Sequence, residues 1–116
     1  MSEHEATAEL WDAWVPGEFT NNHQVLQQLL QACAEARVTV LGSHHFNFHP
    51  AGLSATVLLA ESHVAVHTYP ERGLAYVVVC TCGTQAEGAA LRVVEALRQC
   101  WPGRAVWRVQ AARAGD

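Results

Sequence analysis

The fold of this chain is decided by residues 54–82, which read SATVLLAESHVAVHTYPERGLAYVVVCTC. The first part, 54–69, predicts one long extended region or two abutting strands. Residues 74–82 predict a further strand, because β-branched and apolar side chains dominate them. The polar cluster Glu61, Ser62 and His63 interrupts the apolar run. The segment therefore predicts the middle of a β-sheet with polar, chemically active residues set into it.

Helical patterns lie on both sides of this segment. Asn21 and Asn22 offer an N-cap, and apolar residues then recur at spacings of three and four through Cys33. A second helix is predicted over residues 88–101, and strands are predicted at 6–14 and 105–109. A further strand begins at 38–41, and the histidine-rich stretch 43–49 follows it and ends in a turn at Pro50 and Gly52. The order β-α-β-β-β-α-β predicts an α+β fold. Its architecture would be a two-layer sandwich, with a mostly antiparallel sheet and two helices on one face.

Two stretches of the predicted sheet, 57–60 and 77–79, are apolar without alternation. Strands of this kind are covered on both faces. Helices cover only one face of the predicted sheet, so the other face needs a partner. We therefore expect a homodimer with its sheets packed together, a tetramer being the alternative.

Length and composition favour a single globular domain over residues 1–116. Half of the residues are hydrophobic, 16% are charged, and the formal net charge is −4. No basic footprint for nucleic acid is present. No signal peptide or membrane span is recognised, so we expect a cytoplasmic protein without a membrane partner. In that compartment the four cysteines are expected to be reduced thiols.

The predicted strands bring together side chains suited to catalysis. A nucleophile, a base and a proton donor would be supplied by Ser62, His67 and Cys82, and Ser54 stands at the start of the extended region 54–69. Taken singly, each residue type is more often structural than catalytic. A metal site is the alternative, because His63 and His67 share a strand face. Further candidate ligands are His44, His45, Cys80 and Cys82. No standard metal-ligand spacing is present, so we expect no metal.

Three runs of residues resemble the prokaryotic S-adenosylmethionine decarboxylase family. They are FHPAGLS at 48–54, LLAESHVAVHTYPE at 58–71 and TCG at 81–83, in the family's order. The similarity is specific between residues 37 and 83 and architectural elsewhere. An extended match around Glu-Ser-His is far more specific than any single short pattern. The resemblance implies an enzyme, a pyruvoyl-dependent carboxy-lyase that is made as a proenzyme.

The resemblance implies self-cleavage between Glu61 and Ser62, which yields a β chain, 1–61, and an α chain, 62–116. The Ser62 hydroxyl would attack the Glu61 carbonyl and convert the amide to an ester. Removal of the Ser62 α-proton would then eliminate the ester, and hydrolysis would leave a covalent pyruvoyl group. That group forms a Schiff base with the substrate amine and acts as an electron sink.

The resemblance also assigns roles to matching residues. His67 would be the processing base, Ser54 would assist it, and Cys82 would return a proton after carbon dioxide leaves. Phe48 would help form the wall of the substrate pocket, and Glu71 matches the acid that holds ribose hydroxyls. The resemblance implies a homodimer of processed αβ protomers that share each active site.

The substrate that the resemblance implies is S-adenosylmethionine, used in spermidine and other polyamine biosynthesis. The family usually has Trp where this chain has Tyr69. L-ornithine or L-arginine is the alternative, with an acid such as Glu71, Asp12 or Glu9 facing the cationic side chain. A sulfonium would instead prefer aromatic faces, for which Phe48, Tyr69 and Trp11 are candidates. An inactive regulatory or structural relative is a further alternative.

Overall fold

The computed structural model describes residues 2–13, 19–60, 62–82, 86–101 and 103–113, and it describes side chains for 19–60, 62–82 and 88–101. The elements in chain order are β1 (Ser2–Ala13), α1 (Asn22–Glu35), β2 (Val40–Asn47), β3 (Leu53–Leu59), β4 (Ser62–Tyr69), β5 (Leu74–Cys82), α2 (Ala86–Cys100) and β6 (Gly103–Arg113). A short 3-10 turn, Pro70–Arg72, joins β4 to β5. Glu61, one half of the predicted cleavage site, lies outside the described residues.

The strands form a six-stranded sheet in the order β2-β3-β4-β5-β1-β6. Each of its described pairings is antiparallel. The predicted α+β class, with an antiparallel sheet and two helices, is confirmed. The sheet has one strand more than the predicted order because residues 54–69 form two strands, β3 and β4, which was the second of the two interpretations.

The histidine-rich stretch 43–49 lies largely within β2, which extends from Val40 to Asn47. β2 is an edge strand and its residues are exposed along its whole length. Polar imidazoles can therefore lie in this strand without being buried. The apolar pattern ends at residue 41, so it underestimates the length of the strand.

Burial alternates along the central strands, so the sheet has one covered face and one open face. The covered face packs against the helices and contributes Val57, Val64, Val66, Val77 and Val79 to the core. We call the opposite side the open face. It carries Ser54, Thr56 and Leu58 of β3, His63, Ala65, His67 and Tyr69 of β4, and Leu74, Tyr76, Val78, Cys80 and Cys82 of β5.

The two helices form the other layer. Asn21 caps α1 as predicted, its side-chain oxygen accepting a hydrogen bond from the Gln24 amide at 3.0 Å. Trp101 closes the far end of α2, where its ring meets Phe19 edge-on at 5.5 Å between centroids. Its indole N–H donates to Gln28 Oε1 at 2.8 Å, so this large buried ring leaves its polar atom satisfied.

Neither helix combines the length and the apolar composition needed to cross a membrane, within the residues that the structure describes.

Candidate functional site

A cavity of about 260 Å³ lies beside the carboxyl end of β4. We call it the β4 cavity. Its lining includes five of the residues that the sequence singled out, namely Phe48, Ser54, His67, Tyr69 and Glu71. They come from the turn before β3, from β3 and β4, and from the turn after β4. The cavity therefore joins segments that are separated by up to 23 positions in the sequence, the distance from Phe48 to Glu71.

Ser54 and His67 form a cross-strand pair in this cavity. The two residues are register partners between β3 and β4, and side chains at such positions are close enough to contact each other. Ser54 Oγ and His67 Nδ1 are 2.7 Å apart, a short hydrogen bond whose direction depends on the imidazole tautomer. The hydrogen bond engages Nδ1 and so restricts the orientation of the ring.

Ser62 lies at the opposite end of β4 and has an unusual backbone. Its φ angle is +153°, outside the regions that L-residues ordinarily adopt. Conformations of this kind cost of the order of 1–3 kcal/mol and collect at functional sites. Ser62 Oγ lies 3.2 Å from Nδ1 of His63. Across the sheet Ser62 is paired with Thr81, and Cys82 follows that residue at the end of β5.

The predicted site residues therefore fall into two groups within one chain. Ser62 and His67 are both in β4, five positions apart. At 3.2–3.4 Å per residue, their Cα atoms are separated by about 16 Å. Ser62 and Cys82 mark one end of the β4–β5 pair, whereas Ser54, His67, Phe48, Tyr69 and Glu71 mark the other. A single protomer does not bring the predicted nucleophile to the predicted base.

Asn22 holds one wall of the β4 cavity, a role that the sequence did not reveal. Its side-chain N–H donates to the Gly52 carbonyl at 2.7 Å, and its Oδ1 accepts from the Gly52 amide at 3.1 Å. Gly52 has a φ angle of +117°, which favours glycine, and its carbonyl also accepts from the Phe48 amide. In the sequence this role was indicated only by the presence of a second asparagine next to Asn21, although a helix N-cap requires a single residue.

Replacing Asn22 by alanine is expected to lower both stability and activity. The change leaves the part-buried amide and carbonyl of Gly52 without this partner, a cost of about 1–3 kcal/mol in unfolding free energy. The turn that carries Phe48 would also lose its attachment to α1. Denaturant unfolding and the substrate KM measure the two effects. Asn47→Ala, which removes only the exposed contact of Asn47 Oδ1 with Asn22, is the matched control. Equal stability of the two variants would contradict the role of Asn22.

Two other cysteines are kept as neutral thiols. Burial raises the pKa of Cys33 to about 11. Burial and then the charge of Glu35 raise the pKa of Cys100 above its usual value. Cys100 lines a larger cavity of about 390 Å³ among glutamines on the helical layer, which contains none of the predicted site residues. Raised pKa values disfavour the thiolate, so neither cysteine has the character of a reactive group.

The described part of the chain contains no group of three or more His, Cys, Asp or Glu side chains arranged to hold a metal ion. His67 Nδ1, one of the candidate ligands, is engaged by Ser54. Three of the described histidines, His44, His45 and His67, line one cavity, but they do not form such a group.

A family model described as S-adenosylmethionine decarboxylase matches residues 4–106 of this chain. Among curated relatives, the S-adenosylmethionine decarboxylase proenzyme of Pseudomonas aeruginosa is 41% identical over 87 residues, which are 74% of this chain and 54% of the relative. The proenzyme of Aquifex aeolicus is 48% identical over 59 residues, 50% of this chain and 44% of the relative. The chain thus spans about half the length of the curated relatives it matches.

The crystal structure of the adenosylmethionine decarboxylase from Aquifex aeolicus has a fold similar to that of this chain. The TM-score is 0.79 at 30% sequence identity, and the similarity covers 95% of this chain and 88% of that structure. The likeness therefore extends beyond residues 37–83, where the sequence motifs lie, to the helices and outer strands.

Proposed function

We propose a function from one premise, which is that this chain belongs to the S-adenosylmethionine decarboxylase family. The function is decarboxylation of S-adenosylmethionine with a pyruvoyl group made from Ser62 by self-cleavage after Glu61. The β4 cavity is the observation that carries the proposal. It gathers Phe48, Tyr69 and Glu71 around the hydrogen-bonded pair of Ser54 and His67.

The conformation of Ser62 supports the self-cleavage step. A strained backbone raises the energy of the intact chain, so an acyl shift that breaks the bond between Glu61 and Ser62 also relieves strain. Proximity supplies the rest, because the hydroxyl and the adjoining carbonyl belong to one chain and need no encounter. The matched relatives are described as proenzymes, which agrees with a maturation step of this kind.

Ser62 fits as the source of the pyruvoyl group, since its hydroxyl is on the sheet and hydrogen-bonded to an imidazole. When formed, that group supplies an electron sink for the electron pair left by departing carbon dioxide. Cys82, at the same end of the β4–β5 pair, would return a proton to the substrate carbon. Glu71 would orient the substrate through its hydroxyls, and the rings of Phe48 and Tyr69 would face the sulfonium.

The separation within β4 supports an active site built from two protomers. The open face carries exposed hydrophobic side chains, among them Leu58, 54% exposed, and Tyr69, 46% exposed. Apolar patches of this kind mark interaction surfaces. Packed sheets lie about 10 Å apart. A two-fold axis between two open faces would bring the Ser62 end of β4 in one protomer to the His67 end of β4 in its partner, and would repeat the arrangement at the second site.

Cys82 can be tested separately from cleavage. In Cys82→Ala the chain is expected to cleave normally, because the acyl shift and elimination do not use this thiol. Turnover is expected to fall about 10²- to 10⁴-fold, the usual contribution of a positioned proton donor. Cleavage is followed on denaturing gels and turnover by carbon dioxide release. Cys100→Ala, on the helical layer, is the matched control. Wild-type turnover in Cys82→Ala would contradict the proton-donor role.

A basic amino acid is the second candidate substrate, and the observation that favours it is the Glu71 carboxylate in the β4 cavity. L-ornithine or L-arginine would pair its cationic end with that carboxylate. The structure does not describe the side chains of Asp12 and Glu9, the other proposed acids, or that of Trp11. A role in spermidine biosynthesis would follow if the substrate is S-adenosylmethionine, but not if it is ornithine or arginine.

The decisive experiment is the intact mass of the purified protein followed by assays with labelled substrates. We expect two fragments, 1–61 and 62–116, the second with a blocked N-terminus. Carbon dioxide should then be released from S-adenosylmethionine in preference to ornithine and arginine. Persistence of one 116-residue chain after long incubation would contradict the proposal and favour an inactive relative.

A further inference from the structure

His63 contacts the atom that starts the proposed self-cleavage. Its Nδ1 lies 3.2 Å from Ser62 Oγ. Neighbouring side chains of a regular strand point to opposite faces, so such a contact is not what the β-strand pattern predicts. It coincides with the φ angle of +153° at Ser62, which interrupts the regular strand at that residue. The departure from strand geometry and the contact with imidazole are therefore found together.

His67 is poorly placed for the same task within its own chain. It lies about 16 Å along β4 from Ser62, and its Nδ1 is held by Ser54 at 2.7 Å. In the proposed dimer, His67 of the partner approaches Ser62 only after two protomers have associated. The first proton transfer can instead use an imidazole that is adjacent in sequence and independent of assembly.

We infer that His63 is the base that activates the Ser62 hydroxyl for the acyl shift, while His67 acts in the later elimination. This inference rests on the proposed function and divides its processing chemistry between two histidines. The Ser62 O–H donates to Nδ1, which requires the tautomer that carries its proton on Nε2. His63 is half-buried and faces Cys80 across the sheet, so the ring has a defined position at the strand end.

The step balances without another reactant. Ser62 Oγ bonds to the carbonyl carbon of Glu61 while its proton passes to His63 Nδ1. The bond from that carbon to the Ser62 nitrogen then breaks, and His63 returns the proton to the departing nitrogen. The products are an ester and a free amine, and His63 ends in its starting state. Removal of the Ser62 α-proton is a separate event and needs a second base.

The order of the two steps provides the test. In His67→Ala, elimination is blocked, so we expect an ester that hydroxylamine cleaves at Ser62. In the double variant His63→Ala, His67→Ala, that hydroxylamine-labile species should form about 10²-fold more slowly. In the single variant His63→Ala, self-cleavage should slow by a similar factor, and imidazole in the buffer should restore part of the rate. His23→Ala, an exposed histidine on α1, is the matched control.

His63→Asn separates proton transfer from positioning, because its amide oxygen can accept the Ser62 hydrogen bond without taking the proton. We expect it to fold like the wild type by circular dichroism and to cleave as slowly as His63→Ala. Cleavage at the wild-type rate in either variant would overturn the inference, as would equal ester formation in the single His67→Ala and double variants. A wild-type chain that never cleaves would instead refute the proposed function itself.

Discussion

The Ser62→Ala chain is expected to remain one uncleaved polypeptide with no decarboxylase activity. The reason is chemical, since alanine has no oxygen to attack the Glu61 carbonyl and no leaving group for the elimination. The pyruvoyl group therefore cannot form, and the loss should be complete. Intact mass measures the first effect, and carbon dioxide release from labelled S-adenosylmethionine measures the second.

The control for this variant is Ser43→Ala, which removes an exposed hydroxyl on the edge strand β2 and should cleave and turn over normally. Thermal unfolding should show that Ser62→Ala is folded, because one half-buried hydroxyl contributes little to the core. Cleavage of Ser62→Ala at the same bond would show that proteolysis, and not self-processing, had produced the fragments.

Co-expression of Ser62→Ala chains with His67→Ala chains is expected to restore cleavage that neither variant shows alone. In a mixed dimer, the intact Ser62 of the His67→Ala chain would face the intact His67 of the Ser62→Ala chain. One complete processing site results, and the second site lacks both residues. Only the His67→Ala chain should therefore be cleaved, which differently tagged chains would reveal by mass.

This result follows from the length of β4. A site formed within one protomer would need Ser62 and His67 to meet across about 16 Å of extended strand. In that case mixing would restore nothing, because each chain would keep its own defect. As a control, Ser62→Ala mixed with a chain carrying both Ser62→Ala and His67→Ala should not cleave. Absence of cleavage in the first mixture, with association shown by sedimentation, would contradict a shared site.

Much of the fold could be predicted because its signals are local. Apolar spacing and the asparagine cap identify α1, and β-branched runs identify β5. The division of residues 54–69 into two strands was left open, since the polar cluster of Glu61, Ser62 and His63 contains neither glycine nor proline. β2 was underestimated because exposure of an edge strand removes the apolar pattern on which strand prediction depends.

By itself the sequence determined the family-like motifs and the chemical types at each position: the serine, the imidazoles and the thiol. Those are properties of side chains and of their order, so no folding is required to read them. Only the tertiary structure decided which of them meet. Antiparallel pairing sets Ser54 beside His67, and the rise of an extended strand separates both from Ser62. Asn22 likewise reaches Gly52 only because α1 packs over the sheet. Distances of this kind depend on strand register and helix packing. Both are determined jointly by residues that are far apart in the chain.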